Sequence, residues 1–279
     1  MRHPERRLLI SVDMERYSGR GNVQQYEAQE AFHTLLHAAA RDVGLDRASW
    51  TTQQAGDGEL AILPRDVPES RVIGRFVPEV NRRLRAYNES RIQAARVRLR
   101  LAVHQGLVHL DGANGFPGHA VVFVSRLCDA GPVRRALAAF PDAGVALVVS
   151  TDIYRDVVSE YPEEMRPERF RRVRISRPDK GFHEYAWVCV VDENLVGIAS
   201  LDDVPPPESP DDPTGSTSTP TDPGPRPTSG GSGDHAVDAN ERIRTGDIRV
   251  KGQNAIGRNA TAIGSVGRDL NLGPERGGR

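Results

Sequence analysis

Leu8-Leu9-Ile10-Ser11-Val12-Asp13 and Gln54-Ala55-Gly56-Asp57-Gly58-Glu59-Leu60-Ala61 are the stretches whose reading decides the fold. The first is an apolar run with strand character that ends on a carboxylate. The second is a glycine turn between two short strands, with a carboxylate at its tip. A carboxylate at a strand end is held rigidly, with its oxygens projecting out of the sheet. Two of them on neighbouring strands are suited to Mg²⁺ or Mn²⁺, hard cations that take oxygen ligands and bind phosphates. A lone aspartate in either place is usually a turn former or a helix cap, so the signal lies in the pair.

Working outward, the pattern predicts a strand over Arg7–Asp13 and a helix over Gln24–Val43 with Ala31, Leu35, Leu36 and Ala39 on one face. A hairpin follows, about Ser49–Gln54 and Gly58–Leu63. Glu69–Glu89 reads as helix, with Val72, Ile73, Phe76, Val80 and Leu84 at helical spacing. Val97–His104 and Leu107–Leu110 read as strands, Gly118–Phe140 as mostly helix, and Val145–Ser150 as a strand. A short helix over Thr151–Val158 precedes closing strands near Phe170–Ile175 and Glu184–Val191. The order βαββαββαβ predicts an α+β fold, a ferredoxin-like core carrying extra strands.

The chain has 279 residues and a formal net charge of -1, so the overall balance gives no reason to expect a nucleic-acid or membrane partner. Residues 1–195 carry the folded pattern. From Asp202 the composition turns to Pro, Gly, Ser and Thr, and 202–233 is expected to be a disordered linker that cannot bury enough apolar surface to order itself. Cys128 and Cys189 form neither a disulfide framework nor a metal-ligand spacing, and reduced, buried thiols are expected. There is no signal-type or membrane-length apolar run, which predicts a soluble, cytoplasmic protein. Lys180 and Lys251 are the only lysines in an arginine-rich chain, which draws attention to both.

Several motifs, in order and spacing, resemble the class III nucleotidyl (adenylate and guanylate) cyclase catalytic domain over roughly Arg7 to Val191. Asp13-Met14-Glu15-Arg16-Tyr17-Ser18 looks like the first metal-aspartate loop, and Ala55-Gly56-Asp57-Gly58 like the second. Leu101-Ala102-Val103-His104-Gln105-Gly106 is similar to the family's strand-turn, and the helix motif from Gly118 places a transition-state arginine at Arg126. Asp179-Lys180-Gly181-Phe182 matches a closing segment whose lysine, here Lys180, contacts triphosphate. The resemblance implies a cyclase-type sandwich. It implies metal held by Asp13, Met14 and Asp57 (two Mg²⁺ or Mn²⁺ sites), and a nucleoside triphosphate or related polyphosphate held by Arg16, Tyr17, Ser18 and Lys180. It further implies a homodimer in which Asp13 and Asp57 of one copy face Arg126 of the other.

The chain departs from the family where base and ribose are recognised. Gln53 stands where a base-selecting lysine is expected, Asn114-Gly115-Phe116-Pro117 carries no carboxylate, and Val122 replaces the ribose-holding asparagine. Cyclisation needs the ribose 3′-oxygen in line with the α-phosphorus, and losing a positioning group costs orders of magnitude in rate. Metal and phosphate binding is therefore expected to outlast cyclisation. The alternatives are an active cyclase of unusual base preference and a ligand-free dimerisation scaffold. His104 and His109 are expected to be packed or solvent-facing rather than ligands, and the arginines of 166–174 to be a solvated edge-strand face.

The tail, 234–279, repeats Asn254-Ala255-Ile256-Gly257 as Asn259-Ala260-Thr261-Ala262-Ile263-Gly264, small β-formers between glycines. It loosely resembles the short amyloid-like motifs that end bacterial immune and cell-death proteins, which implies an effector partner bearing a matching motif, or else a plain glycine-rich tail. A coil of roughly 30 residues would let such a motif search several nanometres.

Overall fold

A computed structural model describes residues 3–198 and 201–203. The tail 234–279 and the expected linker, apart from Asp202 and Asp203, lie outside these residues. Strand β1 (Glu5–Met14) alternates its side chains between two cores. Leu8, Ile10, Val12 and Met14 enter one apolar cluster and Leu9 the other. Burial on both faces explains why the run is apolar throughout instead of alternating with polar residues.

After β1 come α1 (Asn22–Asp42), then the hairpin of β2 (Thr51–Ala55) and β3 (Gly58–Ile62). The expected helix over 69–89 is composite: α2 (Glu69–Arg71), a π-turn over Val72–Phe76, and α3 (Val77–Glu89). Pro78 has no N–H for the carbonyl four residues back and its ring crowds it, so the helix widens just before it. β4 (Leu99–Val108) is one continuous strand where two were expected, paired with β1 from Glu5↔Val108 to Met14↔Leu99. Gly106 is not a break but a close approach, since a Cβ there would lie 2.5 Å from the Ala120 Cβ.

The expected helix over Gly118–Phe140 is two helices, α4 (His119–Cys128) and α5 (Gly131–Ala138). Pro132 at the start of α5 fits a new first turn but not the interior of a continuous helix. β5 (Val145–Ser150) is buried along its whole length. Then come α6 (Thr151–Ile153), a second π-turn over Tyr154–Val158, α7 (Pro162–Met165), β6 (Arg171–Arg177) and β7 (Phe182–Val190).

The strands form a seven-stranded sheet in the order β2-β3-β1-β4-β5-β7-β6. Each neighbouring pair among its first four strands is antiparallel, in the chain order β1-α1-β2-β3-helix-β4, which is the ferredoxin-like core expected from the sequence. The single parallel pairing, β4 with β5, comes from the crossover through α4 and α5. One face is covered by α1 and α3, with Phe32, Leu36, Phe76 and Leu84 in the core; the other by α4 and α5, with Val124, Leu127 and Leu137. Buried Asn81 docks α3 on the sheet: its Oδ1 accepts from the N–H groups of Gly144 and Val145 at 3.0 and 3.1 Å. Asn88 does the same at Val97, donating to its carbonyl and accepting from its N–H.

Past β7 the chain stays against the domain, with Leu195 and Leu201 only 4% and 3% exposed. Asp202 Oδ1 accepts from Arg174 N at 2.7 Å, Asp203 Oδ2 from Ser176 N at 3.0 Å, and Asp203 N donates to Arg174 O at 3.0 Å. These bonds cap the outer edge of β6, where the sequence predicts a solvated arginine face. The arginines are themselves engaged: Arg171 donates to Ile198 O and Arg172 lies over the Tyr185 ring. Among the described residues no helix is long and apolar enough to cross a membrane.

Candidate functional site

Asp13 lies near the end of β1, opposite Gly58 on β3 and Arg100 on β4. The β1–β3 approach is close enough that a Cβ on residue 58 would fall 2.1 Å from Val12 O, so only glycine fits. Immediately beyond, Met14 N donates to Asp57 O at 2.8 Å and ties the hairpin tip to the end of β1. Gln29 of α1 completes the fastening, donating from Nε2 to Gly56 O at 2.6 Å and to the Tyr17 hydroxyl at 2.8 Å. The hairpin tip carrying Asp57 is therefore held to the end of β1 by a backbone bond and by the Gln29 side chain.

Asp13 and Asp57 line one cleft of about 410 Å³, together with Gln53, Ser125, Cys128 and Asp129. Asp57 is exposed. The Asp13 carboxylate is ion-paired to Arg100, the two side chains being 24% and 11% exposed. Burial lowers the Arg100 pKa, but a guanidinium stays protonated at any ordinary pH. Cys128, on the wall of the cleft, donates from Sγ to Ser11 O and Arg100 O, each at 3.4 Å. Burial pushes its thiol up to about 12, which makes it an inert packing group. Cys189 is likewise buried, free and pushed to about 12.

The donor set suits a hard cation, with two carboxylates on adjacent strands. Met14 can add only its main-chain carbonyl, because its side chain is 2% exposed in the core. Among the described residues no three His, Cys, Asp or Glu side chains gather to hold a metal ion by themselves. Mg²⁺ is commonly held by one or two carboxylates and completed by water and phosphate oxygens, so a two-carboxylate site fits a metal that arrives with a polyphosphate.

The remaining expected residues fall into separate places. Arg16 is exposed and left-handed (φ 56) and opens the 3₁₀ turn Tyr17–Gly19. Within that turn Ser18 is exposed and Tyr17 packs against the core. Arg126 does not line the cleft. Ser125 turns toward the aspartates, whereas the Arg126 guanidinium carbon lies 5.3 Å from the centre of the Phe182 ring. Lys180 is exposed in the 3₁₀ turn Pro178–Lys180, two residues before Phe182. Within one chain, Asp13 and Asp57 are together and Arg126 and Lys180 are elsewhere.

Gln53 does line the cleft, and its amide abuts the turn at Gly115, where a Cβ would meet its Oε1 at 2.8 Å. Val122 is 46% exposed and lies outside the cleft lining. His104 packs on Phe123 with ring centres 4.4 Å apart, and burial pulls its pKa down to about 4. That is the packed histidine expected. Sequence reasoning missed Arg100, Asp129, Ser125 and Gln29. Arg100 had a signal, as a cation between Leu99 and Leu101 in a strand, but its partner becomes evident only with the β1–β4 register. Gln29 had none.

No protein-family model and no curated protein sequence matches the chain. Among solved structures it is similar to an adenylate/guanylate cyclase/hydrolase from Silicibacter pomeroyi, at 20% identity over 68% of this chain and 99% of that one, with a TM-score of 0.47. It is also similar to the non-canonical dimeric guanylyl cyclase domain of the RhoGC fusion protein from Blastocladiella emersonii, at 16% identity over 68% and 99%, TM-score 0.42. The adenylyl cyclase CyaB from P. aeruginosa matches at 14% identity over 69% and 98%, TM-score 0.41.

Proposed function

We propose that the domain binds a divalent cation, Mg²⁺ or Mn²⁺, at Asp13 and Asp57, and through it the phosphates of a nucleoside triphosphate or related polyphosphate, as a cyclase-like signalling domain. The observation that carries this reading is the joint placement of the two carboxylates in one cleft, fixed by the Met14–Asp57 backbone bond. The cation would supply charge neutralisation for the phosphates. Asp13 and Asp57 orient it, and Arg100 offsets part of their negative charge. The reading includes a homodimer, in which Arg126 and Lys180, absent from the cleft lining of their own chain, would be supplied by a second copy.

The full chain, incubated with Mn²⁺ and each nucleoside triphosphate in turn, provides the test. Metal-dependent binding that Asp57→Ala abolishes, without cyclic product, supports the reading. Absence of metal-dependent binding to any of them overturns it.

A second reading, an active cyclase with non-standard base recognition, is favoured by Gln53, whose amide sits in the cleft and can both donate and accept toward a base edge. Cyclic product lost in Asp57→Ala would establish it. For the tail we retain the adaptor reading, with an effector partner in a bacterial conflict or signalling pathway. If truncation after Asp203 leaves self-assembly and partner binding unchanged, the tail has no such role.

A further inference from the structure

Arg16, Arg20, Arg96 and Arg98 converge on a cavity of about 560 Å³ beside the loop that follows β1. It shares no lining residue with the Asp13–Asp57 cleft. The one carboxylate in its wall is Glu15, which is ion-paired with Arg98 at 3.1 Å. Arg96 is paired with Asp142 at 2.8 Å, outside the wall. Arg98 also donates to the carbonyls of Ala143, Leu137 and Phe140, and Arg96 to that of Arg91, whereas Arg20 has, among the described residues, carbonyl partners alone, Ala94 O at 3.1 Å and Arg96 O at 2.5 Å. Its Nε is buried with no acceptor among the described residues.

Carbonyl dipoles satisfy N–H groups but do not cancel a charge, and a partly buried cation without a counter-charge is unfavourable. Burial accordingly lowers the Arg20 and Arg98 pKa values. The wall thus carries a surplus of guanidinium over carboxylate around a space large enough for more than one phosphate. Guanidinium forks match phosphate oxygens two at a time, which makes this the chemistry the cavity is built to take.

We infer that this cavity is a second oxyanion site, one that binds a diphosphate group without metal. It takes no residue from the Asp13–Asp57 cleft, although Arg16 and Ser18 in its wall are among those the cyclase resemblance assigns to polyphosphate. The ligand is a diphosphate, either free or carried by a nucleoside. Its occupation would brace the loop from Glu15 to Arg20, which continues directly from Asp13.

The experiment is calorimetric titration of the full chain in EDTA with inorganic pyrophosphate and, separately, with ADP. Saturable binding is expected, weakened at least 10-fold in both Arg96→Glu and Arg20→Gln, with circular dichroism confirming that each variant is folded. Asp57→Asn, which disables the cleft, should bind as the parent does. Pyrophosphate and ADP binding alike identifies the bare diphosphate as the ligand, and tighter ADP binding identifies the nucleotide form. No saturable binding of either in EDTA overturns the inference, as does binding unchanged in both arginine variants or lost in Asp57→Asn. Loss of Mn²⁺-dependent triphosphate binding in Asp57→Ala bears on the cleft alone, so the two ideas fail separately.

Discussion

Asp13 and Arg100 stand opposite each other on antiparallel β1 and β4, the carboxylate ion-paired to a guanidinium whose side chain is 11% exposed. The first carboxylate of the cleft thus already has a counter-charge in the fold, while Asp57 at the hairpin tip is open to solvent.

Replacing Arg100 with alanine leaves Asp13 partly buried without its counter-charge, a loss of about 2–4 kcal/mol of stability. A divalent cation at Asp13 would take over the neutralising role. Thermal unfolding with and without Mn²⁺ should therefore show a larger metal-induced rise in Tm for Arg100→Ala than for the parent. An equal rise in both would mean that the cation does not sit at Asp13.

Gly58→Ala tests whether the hairpin is positioned by close packing. The added Cβ would meet Val12 O at 2.1 Å, so β3 must move away from β1 and take Asp57 with it. Metal-dependent triphosphate binding should fall by at least 10-fold, with a stability loss of about 1–3 kcal/mol. Gly56→Ala, which meets nothing within 4 Å, is the matched control and should bind normally.

Arg47 and Glu59 form a buried ion pair, their side chains 5% and 1% exposed, beneath the Trp50 ring. Glu59→Ala strands the arginine and should cost about 3–5 kcal/mol in chemical denaturation. The double change Arg47→Met with Glu59→Leu should recover most of that loss. A double variant no more stable than Glu59→Ala would show that the pair itself contributes stability.

His104 sets a pH dependence. Its pKa is about 4 in the fold against an ordinary 6.5, because burial disfavours the charged ring. Between those values the unfolded chain holds a proton that the folded chain does not, so stability is complete above 6.5 and falls as pH drops toward 4. With allowance for partial solvent screening the contribution is roughly 1–2 kcal/mol. The Tm-versus-pH curve of His104→Gln should be flatter across that window; parallel curves would assign the effect to other groups.

Much of the core was legible because local signals and global packing agree. The apolar run of β1, the Gly56-Asp57 turn and the helical spacing of Val72, Ile73, Phe76, Val80 and Leu84 each led to the element found. Glycine misled at residue 106, where a missing side chain served helix packing and was taken as a strand end. Proline was under-read at residues 78 and 132, where it reshapes a helix without ending the helical region. The places of Asp13 at a strand end and Asp57 at a turn could be read from sequence because strand ends and turns are local. The Arg100 and Gln29 contacts could not, because they depend on a register and on a helix crossing that join residues far apart in the chain. The same limit hid the direction of Arg126, which one step of helix rotation separates from Ser125 in the cleft.

Among the described residues, Asp202 and Asp203 occupy the outward-facing amides of Arg174 and Ser176 and cap that stretch of the β6 border. At the opposite border, β2 has all five of its residues exposed. Growth of this sheet by a further strand, whether from a second copy or a foreign peptide, therefore has its less obstructed direction at β2 among the described residues. That direction runs along the ribbon carrying Gln53 and leading to Asp57, so the molecule's free seam and its acidic cleft share a single hairpin.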